Sequence, residues 1–254
     1  MHGSIRPRVP VWLAAGLLAL PLAAAAQKLT VSAAASLTDA FKEIGARFEA
    51  AHAGASLRFN FAASGVLIQQ IGQGAPVDVF ASADPETMDR GAALGLLDAR
   101  TRRDFAANTV VLIVPAQGGP AVGSLADLTR AGVRRIAVGK TATVPVGRYT
   151  RQVLDGAGLR AALEPKLVPA DSARQVLDYV ARGETEAGFV YRTDAALMAD
   201  KVRIVLTAEG HAPVRYPVAV VSESREPALA KAFVAFLAAP EAQDVLRRFG
   251  FGPP

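Results

Sequence analysis

Residues 28–48 read Lys-Leu-Thr-Val-Ser-Ala-Ala-Ala-Ser-Leu-Thr-Asp-Ala-Phe-Lys-Glu-Ile-Gly-Ala-Arg-Phe, and a change of hydrophobic period inside that run decides the fold class. Lys28 to Ala33 reads as a strand, whereas Leu37, Phe41, Ile44 and Phe48 recur at helical spacing and predict an amphipathic helix over 37–51. Three alanines and Ser36 stand at the junction. The same alternation continues outward. Strands are predicted at 56–61, 77–82, 109–114, 136–138, 187–191, 202–206 and 216–221. Helical patterns fall at 67–71, 84–94, 149–154, 173–180, 229–237 and 245–249. Strands interleaved with helices imply an α/β protein. There are too many such units for one compact sheet, so the chain divides into two lobes. Asn108 to Pro115 and Tyr216 to Val221 are the candidates for paired crossing strands. That choice makes residues 27–107 and 222–254 the first lobe and 108–221 the second.

Composition removes several function classes. With 254 residues, 51% hydrophobic and 20% charged, the chain can bury a sizeable core. The net charge of +5 is scattered, and aromatics make up only 6%, so neither a nucleic-acid stripe nor a base-stacking platform is present. Cysteine is absent, which excludes disulfides, thiol nucleophiles and thiolate metal sites. His2, His52 and His211 are the three histidines, and His52 and His211 read as solvated loop or helix-end residues. Gly139-Lys140-Thr141 follows a strand, but a phosphate-binding loop needs a glycine where Arg134 stands. No Gly-x-Ser-x-Gly or Ser-x-x-Lys occurs, and nothing sets a nucleophile beside its base. The chemistry is that of binding.

The first 26 residues read as an export signal. Arg6 and Arg8 precede an apolar run from Val11 to Leu22, and Ala24-Ala25-Ala26 supplies the small residues of a cleavage site before Gln27. The apolar stretch is shorter than the roughly 20 residues of a membrane span. Removal of 26 from 254 residues leaves 228, exported to the periplasm, and without a cysteine no lipid can be attached at the cleavage point.

The strand-to-helix junctions are where a ligand could be held. Ser36, with Asp39 three residues on, resembles a capping box, and Ser64 stands in the same relation to the second helix, followed by Gly65. Val144-Pro145-Val146-Gly147 puts proline at a first helical position. Asp171-Ser172-Ala173 is a further N-cap sequence. Each helix start leaves unpaired N–H groups at the positive end of a dipole. Ligands of open α/β sheets bind at the same ends of the strands. A cleft receiving all four would hold an anion through neutral donors. Each serine taken alone reads equally as an ordinary cap.

Ala33-Ala34-Ala35-Ser36-Leu37, Phe61-Ala62-Ala63-Ser64, the run from Gly74 through Asp84, Val144-Pro145-Val146-Gly147, Gly188-Phe189-Val190-Tyr191 and Tyr216 through Val221 occur in that order. The ordered set resembles the periplasmic molybdate-binding proteins of molybdate ABC transporters, which are type II periplasmic binding proteins, from about Leu29 to Phe251. The resemblance implies two α/β lobes joined by a two-stranded hinge and closing over one tetrahedral oxyanion, molybdate or tungstate, with no cofactor. Its partner would be an inner-membrane ABC permease, and the binding protein would be a monomer. Carried over by position, the ligand contacts would be Ser36, Ser64, the backbone N–H groups of Val146 and Ala173, and the Tyr191 hydroxyl. These residues would hold the metal only as its oxyanion. Val146 stands where a smaller alanine is expected, Ala173 where a valine is, and Gly65 where a serine is.

Alternatives are a carrier of another oxyanion, such as sulfate or phosphate, and an exported enzyme using Asp78, Asp84 or Asp194 as acid or base. Asp84 reads more simply as a helix N-cap and Asp78 as a strand-start residue. Arg148, Arg174 and Arg192 lie beside the proposed contacts and read as solvent-exposed charges that steer an anion.

Overall fold

The computed structural model describes residues 27–254, and the export segment expected over 1–26 lies outside the described residues. Along the chain run β1 (Gln27–Ala34), α1 (Thr38–Ala51), β2 (Ala55–Ala62), α2 (Ser64–Gly72), β3 (Val79–Ala81), α3 (Pro85–Ala93), β4 (Leu97–Asn108) and β5 (Val110–Pro115). There follow β6 (Ile136–Gly139), α4 (Pro145–Gly156), α5 (Arg160–Leu163), β7 (Leu167–Ala170), α6 (Ala173–Ala181), β8 (Ala187–Tyr191) and α7 (Arg192–Leu197). The chain ends with β9 (Val202–Thr207), β10 (Val214–Val221), α8 (Pro227–Phe236) and α9 (Pro240–Arg248).

Two five-stranded sheets form, in the orders β2-β1-β3-β10-β4 and β7-β6-β8-β5-β9. In the first sheet β1 pairs in parallel with β2 and β3, and β10 lies antiparallel between β3 and β4. In the second, β6 pairs in parallel with β7 and β8, and β5 lies antiparallel between β8 and β9. The sheets therefore repeat one plan. In each, three parallel strands aim their carboxyl ends the same way, and one antiparallel strand sits fourth in order.

This arrangement corrects the expected pairing of 108–115 with 216–221. β10 is buried along all but Arg215, and such a strand needs a neighbour on both edges and a layer on both faces. It finds them between β3 and β4 of the first sheet, so Val214–Val221 does not belong with the second lobe. The chain passes between sheets at Asn108–Val110 and returns between Thr207 and Val214.

In the first lobe α1 buries Phe41, Ile44 and Phe48, as its spacing predicts. Phe41 lies 6.1 Å from the Phe233 ring and 5.6 Å from that of Phe105, and Phe48 lies 5.2 Å from Phe233. Burying each such side chain contributes about 1.5–3 kcal/mol. This packing fixes the start of α1 relative to β10. In the second lobe Gly147 does the corresponding work. A Cβ there would lie 2.0 Å from the Gly139 carbonyl oxygen, so only glycine lets the first turn of α4 press onto the end of β6.

Candidate functional site

Ser36 does not cap α1. The small residues after β1 allow a 3-10 turn over Ala35–Leu37, and α1 starts at Thr38, whose hydroxyl donates to the Ala35 carbonyl at 2.7 Å. The Ser36 Oγ instead lies 2.9 Å from the Tyr216 hydroxyl of β10. That phenol also accepts from Asn108 Nδ2 at 3.2 Å, and either hydroxyl can donate across the Ser36–Tyr216 contact. With the phenol as donor, the Ser36 hydrogen is left for another acceptor.

Ser64 is treated the same way. Ala63 holds the N-cap position without a side-chain bond, and Ser64 is the first residue of α2. Its Oγ accepts from the Ala83 N–H at 3.0 Å, which again leaves the hydroxyl proton to donate. Both serines are buried, Ser64 completely. The capping reading of Ser36 and Ser64 thus gives way to two buried hydroxyls that each bond to a distant part of the first lobe.

The second lobe supplies backbone donors. Pro145 occupies the first turn of α4, as its sequence implies, and Val144 precedes it. Ser172 caps α6 by accepting from Gln175 N–H at 3.1 Å. The first N–H groups of a helix have no acceptor within it. Among the described residues, no loop or side-chain bond takes up the N–H of Ser64, Val146 or Ala173 either. Tyr191 ends β8 and is 1% exposed, and its hydroxyl donates to the Ala83 carbonyl across the lobes at a long 3.4 Å. Burial pushes the Tyr191 and Tyr216 phenols well above the ordinary tyrosine range, which keeps both protonated as donors.

Several of these elements are tied to one another. Ala83 bonds Ser64 through its N–H and Tyr191 through its carbonyl. Gly65 N–H donates to the Thr143 carbonyl at 2.9 Å, which joins the start of α2 to the loop before α4. The Tyr191 and Tyr216 rings are 5.8 Å apart, and α6 packs on the 35–37 turn that carries Ser36. A separate cavity of about 430 Å³ in the second lobe, walled by Val138, Leu154, Leu167 and Pro169 with Lys140 and Arg151, contains none of the five predicted contacts.

The arginines depart from expectation. Arg148 is buried, not exposed: its Nε lies 2.9 Å from Asp84 Oδ2, and it also donates to Thr87 Oγ1 and the Thr141 carbonyl. Arg174 bridges Asp194 at 2.7 Å and Asp39 of the first lobe at 2.8 Å. A carboxylate matches each cation, so the donors of the site are effectively neutral. Arg192 alone is exposed, its guanidinium 2.6 Å from Thr207 Oγ1. The sequence carried a signal that these two arginines need partners, though not which ones. Arg148 and Arg174 both lie in a first helical turn, where the dipole disfavours a cation and a fixed anionic partner is needed.

The acids weighed for catalysis are structural. Asp84 caps α3 through Thr87 N–H at 3.2 Å, as expected. Asp78 accepts from Thr30 N–H, Ser224 Oγ and Arg225 N–H, tying β3 to the segment before α8. Burial raises the Asp194 carboxyl against the opposing pull of Arg174. His52 ends α1 half-buried and stacked on Phe48, and His211 is half-buried beside Tyr149, with ring centroids 5.4 Å apart. Among the described residues no group of three or more metal-ligating side chains occurs.

Two α/β lobes of this plan, with buried hydroxyls where they meet, are the architecture of a solute-binding protein. The chain belongs to the bacterial extracellular solute-binding proteins, whose family model matches residues 29–252. It is 40% identical over 230 residues to the molybdate-binding protein ModA of Mycobacterium tuberculosis, covering 90% of this chain and 86% of that one. To the ModA of Escherichia coli it is 37% identical over 230 residues, covering 88% of each. Its fold superposes on a periplasmic molybdate-binding protein from Azotobacter vinelandii with a TM-score of 0.78 at 24% identity, covering 89% of this chain and 99% of that one. The two-lobed type II architecture expected from the sequence is the one found.

Proposed function

We propose that this protein captures molybdate, and tungstate as well, in the periplasm and delivers it as a monomer to an inner-membrane ABC importer. The observation that carries the reading is the pair of buried serine hydroxyls that cap no helix: Ser64 accepts from the Ala83 N–H, and Ser36 lies against the Tyr216 hydroxyl. With the N–H groups of Val146 and Ala173, and the Tyr191 hydroxyl once an anion draws its proton from the long bond to Ala83, they would make a site of donors drawn from both lobes. Molybdate at neutral pH is a dianion with acceptors alone. A protonated phosphate would need an acceptor for its hydrogen, and the backbone N–H groups of this site offer none. Hydrogen bonds to a charged group contribute about 1.5–3 kcal/mol each, so six or so offset desolvation and leave about −8 to −12 kcal/mol of binding, a sub-micromolar affinity. Sulfate shares the charge and shape but is smaller, and donors held apart by two rigid lobes leave it with long bonds. Two relatives named for molybdate binding, at 37% and 40% identity, support the same ligand.

The test is titration calorimetry on the 27–254 chain with molybdate, tungstate, sulfate and phosphate. Tight binding of the first two, with at least about a hundredfold preference over sulfate, is expected. Preferential binding of sulfate or phosphate would replace this reading with that of another oxyanion carrier.

A further inference from the structure

We infer that Gly65 is the stop that sets how far the two lobes close, and hence how closely the donors of the first lobe approach those of the second. The inference rests on the oxyanion-binding reading and deepens it. Gly65 follows the donor Ser64, and its N–H donates to the Thr143 carbonyl at 2.9 Å, three residues before the donor Val146. A Cβ built at Gly65 would lie 2.6 Å from the Thr143 carbonyl oxygen and 2.7 Å from its Cα. Both are backbone atoms, so no side chain can swing aside to make room.

The Thr143 segment is itself pinned. Thr143 N–H and Val144 N–H both reach the Lys140 carbonyl, at 3.2 and 2.8 Å, and Arg148 holds the Thr141 carbonyl at 3.1 Å. On the other side, Gly65 occupies the first turn of α2 without a positive φ, so its own backbone suits any residue. The first obstacle to a side chain here is therefore the backbone of the opposite lobe, in a chain that carries glycine where the resemblance implies serine. A methyl group at this point would hold the lobes apart while leaving each lobe intact, and Ser64 would stand farther from Val146. Gly65 is a positioning residue: it makes no contact with the anion through a side chain, yet it sets the width of the gap the anion spans.

The experiment compares Gly65→Ala with Gly72→Ala, the same change at the other end of the same helix. There an added Cβ meets only Leu96 Cδ1, at an ordinary 3.5 Å. Calorimetry with molybdate and thermal melting without ligand are measured on both variants and on the unaltered chain. Gly65→Ala is expected to weaken molybdate binding by about tenfold or more. Its ligand-free melting temperature should not fall, because alanine favours a helix over glycine. Gly72→Ala should bind as the unaltered chain does. Wild-type affinity in Gly65→Ala overturns the inference, and so does a ligand-free melting temperature that falls, because the glycine would then serve its own lobe. If the unaltered chain binds another tetrahedral oxyanion, the comparison is made with that anion, and the stop is judged apart from the choice of molybdate. If it binds none, the reading of function fails and the stop with it.

Discussion

Arg148 of the second lobe points its Nε at Asp84 Oδ2 of the first, 2.9 Å away, with both side chains about 95% withdrawn from solvent. Asp84 also caps α3, and Arg148 also bonds Thr87 and Thr141. A charge pair this deep is expensive to break from one side, by about 3–5 kcal/mol, because the surviving charge is left without a partner. It is a clasp between lobes that forms only when they are together.

Removal of one half of that clasp therefore acts on closure. Arg148→Met and Asp84→Asn should each weaken molybdate binding by about tenfold or more, chiefly through faster dissociation in stopped-flow experiments. The double variant should lose less than the sum of the two, with a coupling of about 1.5 kcal/mol or more in a mutant cycle. Strict additivity would show that the two side chains do not act on each other during binding.

The serines differ in what else they hold. Ser36→Ala and Ser64→Ala should each cost about 1.5–3 kcal/mol of molybdate affinity in calorimetry, some ten- to hundredfold. Ser64→Ala should in addition lower ligand-free stability by about 1–3 kcal/mol in denaturant titration, since it strands the buried Ala83 N–H. Unchanged affinity in both variants would remove these hydroxyls from the site.

Arg174 should behave as a structural residue. Its loss leaves Asp194, which is fully buried, without its cation, and frees Asp39. Arg174→Ala should destabilise the ligand-free protein by about 3 kcal/mol or more, and Arg174→Ala with Asp194→Asn should recover part of it. A variant of ordinary melting temperature whose binding merely became less sensitive to salt would restore the steering role that the sequence alone suggested.

Buried phenols set an alkaline limit, Tyr149 acting in the same direction as the two that follow. Burial raises Tyr191 and Tyr216 above their unfolded value of 10.0. Below that pH both folded and unfolded chains carry the proton, so neither tyrosine makes stability depend on pH. Above it the unfolded chain ionises first, and stability falls. Melting temperature measured against pH should show the decline beginning near pH 10, and the Tyr191→Phe, Tyr216→Phe double variant should lessen its slope.

How much of this was legible in the chain depends on the range of the interaction. The strand and helix in residues 28–48 lie within one residue or so of their predicted ends because their periods are local. β4 was not foreseen. Leu97-Asp-Ala-Arg-Thr-Arg-Arg-Asp is poor in β-formers, and two register shifts against β10 break the alternation that would have marked it. β7 was hidden by its length and by Pro169, tolerable because it is an edge strand. At the site, Pro145 and Ser172 announced their helix starts through chemistry confined to one turn. Arg148 and Asp84 stand 64 residues apart, and no local pattern could pair them.

Asn108 joins the two sheets at the crossing. Its amide reaches Thr193 of the second lobe at 2.9 Å and Tyr216 of the first at 3.2 Å. Through Tyr216 the joint also reaches Ser36, whose hydroxyl lies 2.9 Å from the phenol. A shift of the lobes at this joint would therefore be felt by a hydroxyl about seventy residues away in sequence, so that the spread of the jaws and the grip on a cargo share one side chain.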